Sequence, residues 1–133
     1  MTWLAVLVPG EAVGEGLVLA EPLSLWGGFD PESGRLIDVN HPQLGVSLSD
    51  KIVVMPYGRG SSSSSSVLAE AMRRRTAPAG FVLSAPDPIL VIGSLVGHHL
   101  YGVTCPVIVS DGPFPDHGIW KIINGMVLPA GEG

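Results

Sequence analysis

Six consecutive serines, at 61–66, follow Arg59 and Gly60 in the run Pro56-Tyr57-Gly58-Arg59-Gly60. No other stretch gathers so many hydroxyls beside a guanidinium. Upstream, Lys51-Ile52-Val53-Val54-Met55 has the apolar density of a buried strand, and downstream Val67, Leu68, Ala71 and Met72 recur at helical spacing. The hydroxyls therefore fall at a helix start. There, backbone N–H groups lack intrahelical partners, serine is a favoured cap, and the macrodipole places about half a positive charge. Arg59 adds a planar donor fork suited to a carboxylate or phosphate oxygen. The combination reads as a pocket for a small anion, with hydroxyls beside it. A flexible serine linker is the alternative, but a linker joins bodies that fold alone, and here it would join one strand to one helix. The spacing and the lysine of a nucleotide-binding P-loop are absent.

A second polar segment, 26–42, carries Asp30, Glu32, Arg35, Asp38 and His41. Asp30 before Pro31 and Glu32-Ser33-Gly34 suit turn chemistry, and Asp38 and His41 could pair to fix the loop. No Asp, Glu or His spacing here specifies a metal site. His98 and His99 end a second helix and suit its C-terminal dipole; neighbours on a helix point about 100° apart, which discourages chelation from one face. The lone Cys105 precedes Pro106-Val107-Ile108-Val109 and reads as a small buried residue entering a strand. One cysteine cannot hold an iron–sulfur cluster.

The elements that must position these groups follow from the punctuation. In the first half, Gly and Pro separate short apolar runs at 4–8, 16–20 and 36–37, which read as strands joined by tight turns, a small barrel or sandwich-like β-layer. The second half alternates: strand 51–55, helix 62–75, strand 80–83, helix 88–101, strand 106–109. That order implies right-handed βαβ crossovers and a partly parallel sheet. Asp87 before Pro88 and Gly102 after Tyr101 mark the second helix as cap-then-proline and glycine stop. Its apolar residues exceed one amphipathic stripe, so it should pack on the sheet and against something else. Asn124-Gly125, between apolar runs 119–123 and 126–128, is a two-residue hairpin signal. The fold class is mixed α/β, with a β-rich N-terminal half and a βαβαβ C-terminal half.

At 133 residues, 46% apolar and 14% charged, the chain has the size of one domain, 1–133, with a sizeable core and little charge for a free surface. Net charge −5 and a pI near 5.1 argue against a nucleic-acid surface. The one basic cluster, Arg73-Arg74-Arg75, falls at a helix C-terminus, where cations complement the dipole. No apolar run reaches the roughly 18 to 20 residues that cross a bilayer, the N-terminal residues make a poor signal peptide, and a reducing cytoplasm suits the single cysteine.

Glu21-Pro22-Leu23-Ser24-Leu25-Trp26-Gly27-Gly28, Asp30-Pro31-Glu32-Ser33-Gly34, Asp38, His41-Pro42, Gly45, Pro56-Tyr57-Gly58-Arg59-Gly60-Ser61-Ser62 and Pro86-Asp87-Pro88-Ile89-Leu90 occur in that order. Together they resemble the small subunit, or swivel domain, of the aconitase X family, over nearly the whole chain. The resemblance implies a swivelling β/β/α domain and a hydro-lyase that works with a larger subunit carrying an iron–sulfur or iron centre, so that this chain binds no cofactor itself. It also implies dehydration of cis-3-hydroxy-L-proline, or of 5-phosphomevalonate in archaeal members. Gly60-Ser61-Ser62 matches the aconitase-type Gly-Ser-Ser turn, which makes Ser61 the proton-abstracting base and places Arg59, Gly60, Ser62 and Ser63 at the substrate. Where the family commonly has glycine after Ser62, this chain continues with serines, leaving open which hydroxyl is productive.

Three functional classes follow. The first is the small subunit of a heteromeric dehydratase, with cis-3-hydroxy-L-proline preferred because the chain lacks a basic excess for a phosphorylated substrate. The second is a non-catalytic anion-binding module using the same helix mouth. The third, a serine hydrolase, would need a histidine base, and no Gly-x-Ser-x-Gly elbow is present.

Overall fold

The computed structural model describes residues 4–57 and 61–130. The chain runs β1 (Leu4–Val8), β2 (Ala12–Val18), a kinked turn α1 (Leu25–Gly28), β3 (Phe29–Asp30), β4 (Arg35–Leu36), β5 (Ile52–Met55), α2 (Ser64–Arg74), β6 (Gly80–Leu83), α3 (Pro88–Tyr101), β7 (Val107–Ser110), β8 (Ile119–Ile123) and β9 (Met126–Pro129). One sheet has the order β1-β7-β6-β5-β2-β8-β9. Its four inner strands β7, β6, β5 and β2 are mutually parallel, and β1, β8 and β9 pair antiparallel at the flanks. β5–α2–β6 and β6–α3–β7 are the crossovers that parallel neighbours require.

All four residues of each of β5, β6 and β7 are buried, as expected of parallel strands covered on both faces. The pleat then divides their side chains. Val53, Met55, Phe81, Leu83 and Val107 pack with Leu68, Met72 and Leu90 from the helices. Ile52, Val54, Val82 and Ile108 face the other way, onto Trp120 and Ile122 of β8. Among the described residues no helix covers that second face. It is closed by curling of the sheet: Trp120 lies under Gly16, where a Cβ would collide with the indole, and stacks on Phe114 at 5.9 Å between centroids. At the far end of the curl, the hairpin glycine Gly125 reaches Val6 of β1. The N-terminal runs therefore do not build a β-layer of their own. β1 and β2 join the strands of the second half in one curled sheet, and β3 and β4 make a separate two-stranded ribbon.

The helices keep their predicted signals. Asp87 Oδ1 accepts from the Ile89 and Leu90 N–H groups at 2.9 and 3.4 Å, Pro88 opens α3, and Gly102 ends it at φ 69°. Asn124 and Gly125 both take positive φ, 53° and 75°, as a type I′ turn requires. α3 approaches α2 closely because Gly93 and Gly97 present no side chain to it. A methyl at Gly93 would sit 2.8 Å from the Ser65 carbonyl oxygen and 3.1 Å from Leu68 Cβ, whereas one at Gly97 would meet the thioether of Met72.

Two outcomes are expected. Alanine recovers about 1 kcal/mol of helix propensity at either glycine, but at Gly93 it must displace backbone, which costs about 1–3 kcal/mol, while the Met72 side chain can turn away. Gly93→Ala should therefore lower the urea midpoint clearly, and Gly97→Ala much less; equal effects would contradict the close approach described. Cys105 is fully withdrawn from water and burial pushes its thiol from 9.0 up to about 12. The folded state keeps the neutral thiol while the unfolded chain ionises above about 9, so its contribution to stability is full below that pH and declines toward 12. At pH 8 an aromatic disulfide reagent should leave the folded chain unmodified and label it on unfolding.

Candidate functional site

The C-terminal ends of β2, β5, β6 and β7 and the N-terminal ends of α2 and α3 share one edge of the sheet, the edge at which open α/β sheets bind ligands. The segment after β5 and the segment after β6 are joined there: the Ser84 and Ala85 N–H groups both donate to the Pro56 carbonyl, at 2.9 and 3.2 Å. Arg59 and Gly60, two of the expected substrate contacts, lie outside the described residues.

The serine tract sorts itself by hydrogen bonding. Ser61 fixes the turn that leads into α2: its carbonyl accepts from the Ser64 N–H at 3.0 Å and its hydroxyl oxygen accepts from the Ser63 N–H at 3.0 Å, whereas Ser63, at the N-cap position, makes no side-chain cap hydrogen bond. Tight turns continue from Ser62 and Ser63 to Ser65 and Ser66 before regular α-helix takes over at Ser64–Arg74, slightly inside the expected 62–75. Ser62, Ser63 and Ser66 are exposed, and the Ser65 hydroxyl donates to the Ser62 carbonyl at 2.9 Å. Ser64 is only 4% exposed, and its hydroxyl oxygen accepts from the Trp26 N–H at 3.0 Å. Ser61 is the half-buried hydroxyl with an amide already aimed at its oxygen.

The charges of α2 are concentrated at its other end. Glu70 lies between Arg73 and Arg74 at 2.6 and 2.7 Å, and their hydrogen bonds hold its carboxyl down at about 2. Arg75 takes the left-handed position that stops the helix, φ 64°. Two of the three arginines are thus engaged by a carboxylate, on a surface where such a network is worth little to stability.

The polar segment 26–42 serves the scaffold. Asp30 accepts from the Ser33 hydroxyl at 2.8 Å and the Glu32 N–H at 3.0 Å, bonds that lower its pKa, the first more than the second, and close the β3–β4 turn. Asp38 accepts from the Asn40 N–H. His41 is buried, and Nδ1 accepts from the Gln43 N–H at 3.0 Å, so the hydrogen sits on Nε2, which donates to the Glu21 carbonyl at 3.1 Å. A side-chain pair between Asp38 and His41 does not form; the His41 N–H donates to the Asp38 carbonyl instead. Gln43 is a positioning residue that sequence reading missed. Its amide accepts from the Ala20 N–H at 2.8 Å and donates to the Val18 carbonyl at 3.2 Å, finishing β2 at the site edge. A glutamine in a loop carries no signal of such a role.

The remaining histidines stay clear of the tract. His98 and His99 lie at the exposed C-terminal end of α3, where His98 Nδ1 approaches the Val103 carbonyl at 3.3 Å, and His117 is exposed in the segment before β8. Among the described residues no histidine is hydrogen-bonded to a serine of the tract, and no three His, Cys, Asp or Glu side chains converge as a metal site would require.

Comparison with known proteins adds to this geometry. A family model for the aconitase X swivel domain matches residues 4–120. A cis-3-hydroxy-L-proline dehydratase from Pseudomonas aeruginosa is 44% identical over 101 residues, 76% of this chain and 17% of that protein. A phosphomevalonate dehydratase small subunit from Methanopyrus kandleri is 45% identical over 89 residues, 67% of this chain and 64% of that one. The chain therefore spans a small fraction of the first relative and just under two thirds of the second. Among solved structures, Thermococcus kodakaraensis aconitase X in its holo-form superimposes with a TM-score of 0.81 at 28% identity, covering 92% of each chain.

Proposed function

The chain belongs to the aconitase X swivel-domain family, and from that premise we propose that it is the small subunit of a heteromeric hydro-lyase that removes water from a small hydroxy-carboxylate. The carrying observation is the hydroxyl of Ser61, held at the helix start with the Ser63 N–H on its oxygen. A serine hydroxyl is a weak base at neutral pH. Its alkoxide becomes accessible only where fixed donors and a positive field offset the charge, and the Ser63 amide and the α2 dipole supply both. Ser61 then takes the proton adjacent to the substrate carboxylate. Arg59 is assigned to that carboxylate through its planar fork, and Gly60, Ser62 and Ser63 to the substrate beside it.

The described residues do not fit a metal centre: no ligand set converges and the Cys105 thiol is buried. We assign the iron or iron–sulfur centre to the larger subunit, where it would supply a Lewis acid for the leaving hydroxyl. This chain contributes binding and proton abstraction, so neither subunit should turn over alone. No helix among the described residues is long and apolar enough to cross a membrane, and the single buried cysteine suits a cytoplasmic setting.

Cis-3-hydroxy-L-proline is the preferred substrate. The chain carries net charge −5, and Arg73 and Arg74 are tied to Glu70 at the end of α2 remote from Ser61, which leaves few described cations for a phosphate. Phosphomevalonate is the second reading, favoured by the separate small subunit of Methanopyrus kandleri, of which this chain covers 64%.

The test is turnover of both substrates by the chain assembled with its larger subunit. Ser61→Ala should reduce dehydration by about 10²- to 10⁴-fold while the complex still elutes intact. Loss of the turn hydrogen bond to the Ser63 N–H also costs about 0.5–1.5 kcal/mol, so assembly is checked at the assay temperature. Undiminished turnover would remove Ser61 from the chemistry, and tight anion binding by the isolated chain with no need for Ser61 would favour a non-catalytic module.

A further inference from the structure

Trp26 is held by its backbone while its indole remains 59% exposed. Its N–H donates to Ser64 Oγ at 3.0 Å, and its carbonyl accepts from the Ser24 hydroxyl at 3.1 Å. Gly27 follows at φ 84°, a conformation other residues adopt only with strain, and Gly28 is buried with Leu23 Cδ1 2.8 Å from where a Cβ would lie. The sequence Trp-Gly-Gly thus reverses the chain immediately after the indole. Serine in the first turn of a helix ordinarily bonds within its own segment. Ser64 instead reaches a residue 38 positions away, from a site 4% exposed. Its own N–H donates to the Ser61 carbonyl at 3.0 Å, so one residue links Trp26 to the turn that leads into α2.

Leaving a tryptophan in water forgoes the largest apolar burial a side chain offers, and here the backbone that carries the indole is fixed on both sides, by Ser24 and by Ser64 at the start of α2. We propose that Trp26 is a substrate-binding residue forming an aromatic wall of the site, selecting a substrate with a cationic ring nitrogen, and that Ser64 is its positioning residue. This rests on the hydro-lyase reading above and narrows it. With its carboxylate at the amino end of α2, a protonated pyrrolidine ring can lie on the indole, where cation–π attraction and ring contact act together. An acyclic phosphorylated substrate offers the indole no cation.

The test uses the assembled complex with cis-3-hydroxy-L-proline as substrate and two competitive inhibitors, L-proline and cyclopentanecarboxylate, which differ in the ring nitrogen. Trp26→Ala should raise KM and the proline inhibition constant together by about 5- to 30-fold, with a much smaller change in kcat. The constant for cyclopentanecarboxylate should move less, and Trp26→Phe should recover most of the loss. Ser64→Ala should shift KM and the proline inhibition constant in the same direction by a smaller factor, with the constant for cyclopentanecarboxylate moving less. Unchanged KM in Trp26→Ala, or a defect confined to assembly with the larger subunit, overturns the proposal; the second result would make Trp26 a docking anchor. If Ser61→Ala abolishes turnover while Trp26→Ala is silent, only this inference falls. If the wild-type complex dehydrates phosphomevalonate and not the imino acid, this inference falls and the hydro-lyase reading stands. If Ser61→Ala retains full turnover, the functional reading falls first and this one with it.

Discussion

Because Ile52, Val53, Val54 and Met55 are all withdrawn from water, β5 must lie inside the sheet with a layer on each side, and the chain leaves it at the edge where Pro56 begins. Each of those side chains is worth about 1.5–3 kcal/mol when fully buried, as an upper estimate. No polar group in the strand competes with that demand. The neighbours are then set by register: β2 and β6 both run parallel to β5, which fixes the exit edge of all three strands and the entry edge of the helices that follow β5 and β6. The serine tract is at the helix start because the strand before it cannot be anywhere else. The two cores follow from the same pleat, one under the helices and one enclosed by the curl around Trp120.

The edge itself is finished by side chains rather than by more strand. Gln43 satisfies the backbone beyond β2, His41 ties its own loop to Glu21, and the Thr76 hydroxyl donates to the Pro31 carbonyl at 2.6 Å, joining the turn after β3 to the end of α2. Each of these bonds spans 20 or more residues. They hold the segment 19–48 against the site edge with only the kinked turn α1 and a two-stranded ribbon of its own.

Where local chemistry and burial agree, the sequence was readable. Helix α3 matches its expected bounds because Asp87-Pro88 and Gly102 act within one turn of its ends, and the Asn124-Gly125 hairpin needs only its own two residues. Strands β1 and β6 likewise match their apolar runs. The segment 19–48 was not readable in detail. Two-residue strands leave no period to detect, and the residues that fix them act through partners distant in sequence. The membership of β1 and β2 in one sheet with the later strands was hidden for a related reason: it depends on long-range pairing and on the absence of a side chain at Gly16, where Trp120 packs. Of the expected site residues, Ser61, Ser62 and Ser63 do lie together at the start of α2. What the sequence could not distinguish was one hydroxyl from the next, since six identical residues differ only in what surrounds them.

That difference explains how a run of serines can open a stable helix. Serine is a poorer helix former than alanine by several tenths of a kcal/mol, because its hydroxyl competes for nearby backbone groups. Here the competition is put to use in three ways: Ser61 fixes the turn before the helix through the Ser63 N–H, Ser65 closes a turn onto Ser62, and Ser64 bonds outside the helix to Trp26. The propensity deficit of the first turn is offset downstream, where Leu68, Ala71 and Met72 are buried and Gly93 lets α3 come close enough to cover them. The helix is anchored by its apolar middle and by bonds made from outside its first turn. Its amino end can therefore keep a hydroxyl and its amides at the surface without relying on them to hold the helix together.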